Sequence, residues 1–397
     1  VTDQTEPTIT PFGFLAPKPP EGIAPAPAPD ATWEFPGGRA WVYYSNSKFG
    51  LKRPVLLSDG FENGPSSLAV LWDGLERKDF PFVSELRSRG YDLILIGYDE
   101  RNASILENAK VATAAIKKAI EERKGTAPLT VGGFSMGGLV TRYALAKMEA
   151  EDDEHETALY VSIDSPHRGA WVPIGLQALA HFLTATPALS KQINSAAARQ
   201  LLWRHIETVE GTPAEDELRT KFLEELKRVG GWPSIPRKIG FANGSGDGTG
   251  NGVKPGVDAV KVTTGWFAGT DLRTQESGDN RLVARLKGLF QDKPIRTSGL
   301  PDIDGAPGGT LETFGIAGLN LKKTGKTEIK ESTVCFVPTV SALAIRDLDE
   351  TEDLYAPISS HRRDESELDD FAFAPTNEEH SHMSEHLATF IFDNLPK

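Results

Sequence analysis

Between Leu129 and Tyr143 the chain reads Leu-Thr-Val-Gly-Gly-Phe-Ser-Met-Gly-Gly-Leu-Val-Thr-Arg-Tyr. A short apolar run enters the stretch. A run of helical character, with Leu139, Val140, Tyr143, Ala144 and Leu145, leaves it. Between them, Gly133-Phe-Ser-Met-Gly137 fits the G-x-S-x-G pattern, with Gly138 as a further glycine. In a strand–turn–helix setting this pattern forces the serine, Ser135, into a strained backbone conformation. The residues two before and two after must then have almost no side chain, a need that Gly133 and Gly137 meet.

The flanking pattern extends this constraint to the whole chain. Gly38–Tyr44 has strand character, and Pro54–Leu57, Tyr91–Ile96, Ala158–Ile163 and Lys238–Ala242 are short apolar runs. Leu68–Leu75, Phe82–Arg89 and residues 103–123 are helical in period, the last with Ile105, Val111, Ala114, Ile116 and Ile120 on one side. Strands that alternate with helices, and that are apolar throughout, predict an α/β fold. Its expected centre is a doubly wound, mostly parallel sheet covered on both faces. Active groups in such sheets lie on loops beyond the carboxyl ends of strands. Ser135 and Ser58-Asp-Gly-Phe61 both fall there.

Three stretches depart from the alternation. Residues 1–30 are rich in Pro and Ala and predict an extended arm or linker of polyproline character. Residues 31–397 are then the main domain. Within it, residues 170–232 predict a helical cap inserted after a core strand. Residues 253–333, with strand-like pieces at 259–264, 313–316 and 328–330, predict a β-rich insertion. Val334–Leu343 has core character, 346–370 is acidic and loop-like, and Leu387–Leu395 predicts a closing helix.

Composition narrows the partners. A net charge of −13 argues against nucleic acid and anionic membrane surfaces. The one cysteine, Cys335, forbids an intrachain disulfide and a cysteine zinc site, and its apolar neighbours make it a buried small hydrophobe. No stretch approaches the length of an apolar transmembrane helix. The chain begins at Val1 rather than Met, which leaves the compartment open, with export favoured over cytoplasm.

A serine hydroxyl is a weak nucleophile at neutral pH, so Ser135 needs a base and an acid that orients the base. In folds with this turn the partners follow the serine in the order acid, then histidine. All eight histidines lie after position 135. His155 is in an acidic surface run, His181 and His205 fall in the expected cap, and His361 is in an exposed-looking segment. His380, past the last expected core strand and just before the closing helix, is the leading base, with His382 the alternative. For the acid, Asp247 in the Gly-rich loop after Lys238–Ala242 leads, because the glycines let that loop fold back. Asp164 is next, followed by Asp258 and the cluster from Asp347 to Asp353. Asp247-x-Thr-x-Asn251-Gly252 half-resembles a calcium loop, but its third position is Thr and Asp258 stands where Glu is usual. Two backbone amides, of Met136 and Phe61, are the expected oxyanion donors.

Together, Ser58-Asp-Gly-Phe61, Gly133-Phe-Ser-Met-Gly-Gly138, Asp164-Ser-Pro-His-Arg-Gly169 and Asn377-Glu-Glu-His380 resemble the α/β-hydrolase superfamily, in its lipase/esterase-like branch. The likeness covers about 35–170, 236–252 and 334–397. Ser-Pro-His-Arg-Gly looks like a segment whose histidine shapes the pocket wall, so the resemblance removes His167 from the list of bases. Asp59-Gly60 stands where lipases often have His-Gly. The resemblance implies a serine hydrolase that cleaves a small-molecule, lipid or polymer ester without a metal or organic cofactor. An acyltransferase or thioesterase-like enzyme with the same triad, a peptidase, and a non-catalytic binder on the same scaffold stay open. A histidine base predicts activity that rises through roughly pH 6–7.

Overall fold

The computed structural model describes residues 5–346, 348, 352–358 and 363–397. His361, Asp347, Asp349, Glu350 and Thr351, part of the sequence reading above, lie outside the described residues.

Eight strands make the central sheet. β1 (Ala31–Phe35) and β2 (Gly38–Tyr43) form an antiparallel hairpin at one edge. There follow β3 (Pro54–Ser58), α1 (Leu68–Trp72), α2 (Phe82–Ser88), β4 (Asp92–Tyr98), α3 (Ile105–Glu122), β5 (Leu129–Phe134), α4 (Met136–Ala150) and β6 (Thr157–Ile163). Helices α5 (Ile174–Phe182), α6 (Pro187–Ile193), α7 (Ala196–Leu201) and α8 (Glu217–Arg228) stand between β6 and β7 (Arg237–Ser245). The strand order is β1-β2-β4-β3-β5-β6-β7 and then the last strand of the chain, β15, introduced below. β2 meets β4 antiparallel, and every ladder from β4 onward is parallel.

Side chains alternate across a strand, so each strand feeds two cores. Leu56 of β3 joins Ala112 and Ile116 of α3 and Leu139 of α4 on one face. Val55 and Leu57 join Phe82 and Leu86 of α2 on the other. Both faces are covered, which is why β3, β4 and β5 are buried at every residue and read as unbroken apolar runs.

A second sheet follows β7. It comprises β8 (Asp258–Val262), β9 (Asp271–Arg273), β10 (Arg281–Lys287), β11 (Asp292–Thr297) and, after β12 (Gly308–Leu311) and α9 (Thr313–Leu321), β13 (Thr327–Ile329). Its order is β11-β10-β9-β8-β13, antiparallel throughout. Next come β14 (Val334–Pro338), the short α10 (Thr339–Ala342), β15 (Asp370–Ala374) and α11 (Glu385–Asn394).

Three expectations change. Thr313–Ile316 is the start of a helix rather than a strand: Phe314, Ala317 and Leu321 extend its apolar pattern at helical spacing. The apolar run at 334–343 is outside the central sheet, since β14 pairs with β12 in a ladder of its own. The last central strand is β15, parallel to β7, where the sequence reading saw only the end of an acidic loop. Its five residues, next to acidic neighbours, are too short to announce a period.

The arm is extended but packed against the protein. Ile9, Phe12, Phe14 and Leu15 are buried in the same core as α3 and α6. Gln192 of α6 clasps the backbone, accepting from the Phe14 amide at 2.7 Å and donating to the Phe12 carbonyl at 2.9 Å. Farther on, Arg77 donates to the carbonyls of Ala24 and Pro25, and the Tyr43 hydroxyl donates to that of Pro27.

Candidate active site

Ser135 occupies the junction of β5 and α4 with φ 51° and ψ −121°. This conformation is sparsely populated by non-glycine residues, and the packing around the turn imposes it. A Cβ at Gly137 would stand 2.3 Å from the Ser58 carbonyl oxygen and 2.5 Å from that of Asp59. One at Gly133 would stand 2.4 Å from the Gly137 carbonyl carbon. Only glycine lets the strand enter and the helix leave so closely under β3. The Ser135 amide donates to the Ile163 carbonyl at 2.8 Å, which ties the turn to the end of β6.

His380 lies in the loop after β15. Its Nδ1 is 2.6 Å from Oδ2 of Asp164, and both residues are buried. A carboxylate only accepts, so Nδ1 carries the hydrogen and Nε2 is the base position of the neutral ring, with the Ser381 hydroxyl 3.4 Å from it. Asp164 itself stands at the end of β6 with φ 48°. Its other oxygen accepts from the Asn243 amide at 3.0 Å. His380 packs edge-on to the Phe336 ring, 4.7 Å between centroids. Ser135 and His380 line one cavity of about 300 Å³.

The loop that carries His380 is held from behind. Its amide donates to the Thr310 carbonyl, and the Thr310 amide to that of Glu378, so the loop pairs with β12. The Asn377 side chain accepts from the amides of Ser245 and Gly308 and donates to the Thr249 carbonyl. Gly309 approaches so near that a Cβ there would stand 2.0 Å from Asp164 Oδ2. Thus β12, within the 253–333 stretch, buttresses the Asp164–His380 pair.

The structure does not bring Asp247, the leading candidate for the acid, to His380. Asp247 is exposed, its carboxylate accepts from the Thr249 amide two residues on, and these local bonds hold its pKa below the usual carboxylate value. The glycines of its loop close a tight surface turn instead of folding it toward the histidine. Asp164, second in the sequence reading, is the carboxylate behind His380. The usable signal was its place directly after the Leu159–Ile163 run, the position that Ser135 holds after its own run. Asp258 is engaged by Arg273 at 2.6 Å. Among the described residues no cluster of three or more His, Cys, Asp or Glu side chains forms, at the Asp247–Asp258 stretch or elsewhere.

Other histidines among the described residues are engaged elsewhere. His382 Nε2 meets Asp79 Oδ2 at 2.8 Å on the rim of the same cavity. His167 Nε2 meets the Ser162 hydroxyl at 2.7 Å and its Nδ1 faces Arg142 at 3.3 Å. His155, expected on the surface, is buried against Glu149.

The Phe61 amide lies in the loop after β3 and, among the described residues, has no hydrogen-bond acceptor. The Met136 amide opens α4, where first-turn amides have no partner within the helix. Gly60 joins the two loops: a Cβ there would be 3.1 Å from the Phe134 carbonyl oxygen and 3.9 Å from the Met136 nitrogen. Asp59 is spent on its own loop. Its carboxylate accepts from the Gly60 amide at 2.8 Å and the Ser66 hydroxyl at 2.7 Å, with Arg101 at 3.8 Å. Burial nevertheless raises its pKa.

The rest of the cavity departs from expectation. Its walls are residues 15–20 of the arm, the loop 59–62, residues 70–78 and the His380 loop. The 70–78 wall combines the end of α1 with the π-helical turn Asp73–Arg77 that continues it. Helices α5–α8, the stretch expected to cap the site, contribute no lining residue among those described.

No family model matches the sequence, and no curated protein matches it. Solved structures that share part of its architecture include the Bacillus licheniformis lipase BlEst2. In its propeptide form this is 14% identical over 49% of the present chain and 36% of its own, with a TM-score of 0.34. In its mature form the match spans 66% of that chain. A Pyrobaculum calidifontis esterase is 13% identical over 55% of this chain and 67% of its own (TM-score 0.33), and the esterase Est22 is 12% identical over 52% and 70% (TM-score 0.30). These lipases and esterases are similar to the present chain in part of a mixed α/β architecture around a mostly parallel sheet.

Proposed function

We propose that this protein is a serine hydrolase of carboxylic esters, with Ser135 as nucleophile, His380 as base and Asp164 as orienting acid. The observation that carries this reading is a strained serine sharing a cavity with a histidine whose Nδ1 is bound to a buried carboxylate. In the first half-reaction the Ser135 hydroxyl attacks the ester carbonyl while His380 Nε2 takes its proton. Asp164 keeps the ring in the correct tautomer and stabilises its cationic form. The amides of Phe61 and Met136 receive the oxyanion, each worth about 3 kcal/mol of transition-state stabilisation. The intermediate expels the alcohol, which takes the proton from His380, and leaves an acyl-Ser135 ester. Water, deprotonated by the same ring, then attacks that ester, and Ser135 leaves with the proton from His380 as the acid is released. Every step uses side chains and amides of this chain.

A fluorophosphonate probe tests the serine. Intact mass is expected to show one adduct on the wild type, mapped to Ser135, and none on Ser135→Ala. An unlabelled wild type would refute the reading. Kinetics on p-nitrophenyl esters test the acid. Asp164→Asn is expected to lower kcat by about 10⁴, because the wrong tautomer then faces Ser135. Asp247→Asn is expected to stay within about twofold of wild type. The reverse pattern would return the role of acid to Asp247.

A further inference from the structure

We propose that residues 15–20 of the amino-terminal arm form the outer wall of the substrate cavity and decide which esters it takes. The inference rests on the ester-hydrolase reading above and extends it from the chemistry to selection. Leu15, Ala16, Pro17, Lys18, Pro19 and Pro20 line the same cavity as Ser135 and His380. Val70, Leu71, Leu75 and Phe134 add apolar lining to this cavity, beside the charged Asp73 and Lys78.

The segment is suited to this task. It is fixed at both ends, by Gln192 at Phe12 and Phe14 on one side and by Arg77 and Tyr43 at residues 24–27 on the other. Ile9 Nα–H donates to the Thr186 hydroxyl at 3.0 Å, and Glu6 accepts from Thr184 and Ala185. Between these anchors, three of the six lining residues are prolines. A proline has no N–H to leave unsatisfied against an apolar ligand, and its fixed φ lowers the entropy lost on holding an extended strap in place. The segment therefore offers the cavity an apolar surface that no helix or strand is needed to support. Lys18 stands exposed at the rim, so the closed, apolar part of the wall is Leu15–Pro17.

This placement assigns selectivity to a part of the chain remote in sequence from the catalytic groups. The substrate class that fits is an ester whose acyl or alcohol part is apolar and unbranched enough to lie between the arm and α1. Its usable length is set by side-chain size at positions 15 and 16.

Two substitutions test it in opposite senses: Leu15→Ala enlarges the cavity and Ala16→Phe fills it. For each variant, circular dichroism confirms folding, and kcat/KM is measured on p-nitrophenyl acetate and p-nitrophenyl decanoate. The decanoate-to-acetate ratio is expected to fall at least tenfold in Ala16→Phe and to rise at least threefold in Leu15→Ala. Binding of the neutral fluorophore N-phenyl-1-naphthylamine to the Ser135→Ala protein provides a second readout that requires no turnover. Adding Ala16→Phe is expected to weaken it at least tenfold. Folded variants with an unchanged ratio and unchanged dye affinity would overturn the proposal while leaving the hydrolase reading intact. If the wild type is not labelled by the phosphonate, the hydrolase reading fails, and the dye affinities alone decide whether the arm walls the cavity.

Discussion

His167 shows how one buried side chain couples the site's surroundings to pH. A guanidinium only donates, so Nδ1 of His167, 3.3 Å from Arg142, accepts and its proton sits on Nε2, facing Ser162. Arg142 stacks on Trp232 at 3.6 Å, and burial lowers it to about 10, so it remains a cation at neutral pH. Burial first, then the charges of Arg142 and Arg168, hold His167 well below the ordinary histidine value. The unfolded chain therefore binds a proton near pH 6.5 that the folded chain refuses. The resulting stability is fully present above that pH and is lost as pH falls below it, by up to about 1.4 kcal/mol per pH unit. Urea midpoints measured from pH 7.5 to 5 are expected to fall in the wild type, and His167→Gln is expected to flatten this slope. An equally steep slope in the variant would assign the effect to other groups. The sequence alone marked His167 as a pocket-shaping residue only through its family-like segment. The ring's actual partners come from β6, α4 and the loop before β7.

At the scale of elements, unbroken apolar runs marked the central strands and a helical period marked the long helices, because those surfaces must be buried. It could not mark the arm. Residues 5–30 have no helical or strand period, yet four apolar side chains near their start are buried. Burying each is worth about 1.5–3 kcal/mol, more than the roughly 1 kcal/mol net of a hydrogen bond, so the docking is driven by Ile9, Phe12, Phe14 and Leu15. The two bonds to Gln192 set its register. Replacing Gln192 by Ala leaves an amide and a carbonyl of the arm unpaired in a buried place, at about 1–3 kcal/mol each. Limited proteolysis is expected to cut the arm of Gln192→Ala about tenfold or more faster than that of the wild type, since cleavage follows the population of the open state. Equal cleavage rates would show that the apolar anchors alone fix the arm.

At the scale of the molecule, the two sheets belong to one core. Leu56 of the central sheet and Val260, Leu272 and Val283 of the second sheet lie in a single contiguous cluster, bridged by α5. Gly175 of α5 approaches the second sheet so closely that a Cβ would stand 2.6 Å from the Val283 carbonyl oxygen. The Trp171 indole donates to Asp304 at 2.6 Å, and the Gln275 amide donates to the same carboxylate at 2.6 Å. Burial raises Asp304 to about 6. With so continuous a core, calorimetry is expected to show one unfolding transition for the whole chain. A separate, earlier transition assigned to 253–333 by hydrogen exchange would contradict this.

By itself the sequence determined the alternation of buried strands and helices, the serine turn and the region of the histidine. Those features are local: glycine spacing and apolar period act over a few residues. Only the tertiary structure decided which carboxylate stands behind His380, because Asp164 and His380 are 216 positions apart and meet through the order of parallel strands. The same holds for the cavity wall. Helices α5–α8 had the more cap-like pattern, but it is the arm that lines the cavity where Ser135 opens. Sequence pattern shows that a segment must bury a face. The packing of the finished sheet fixes what that face covers.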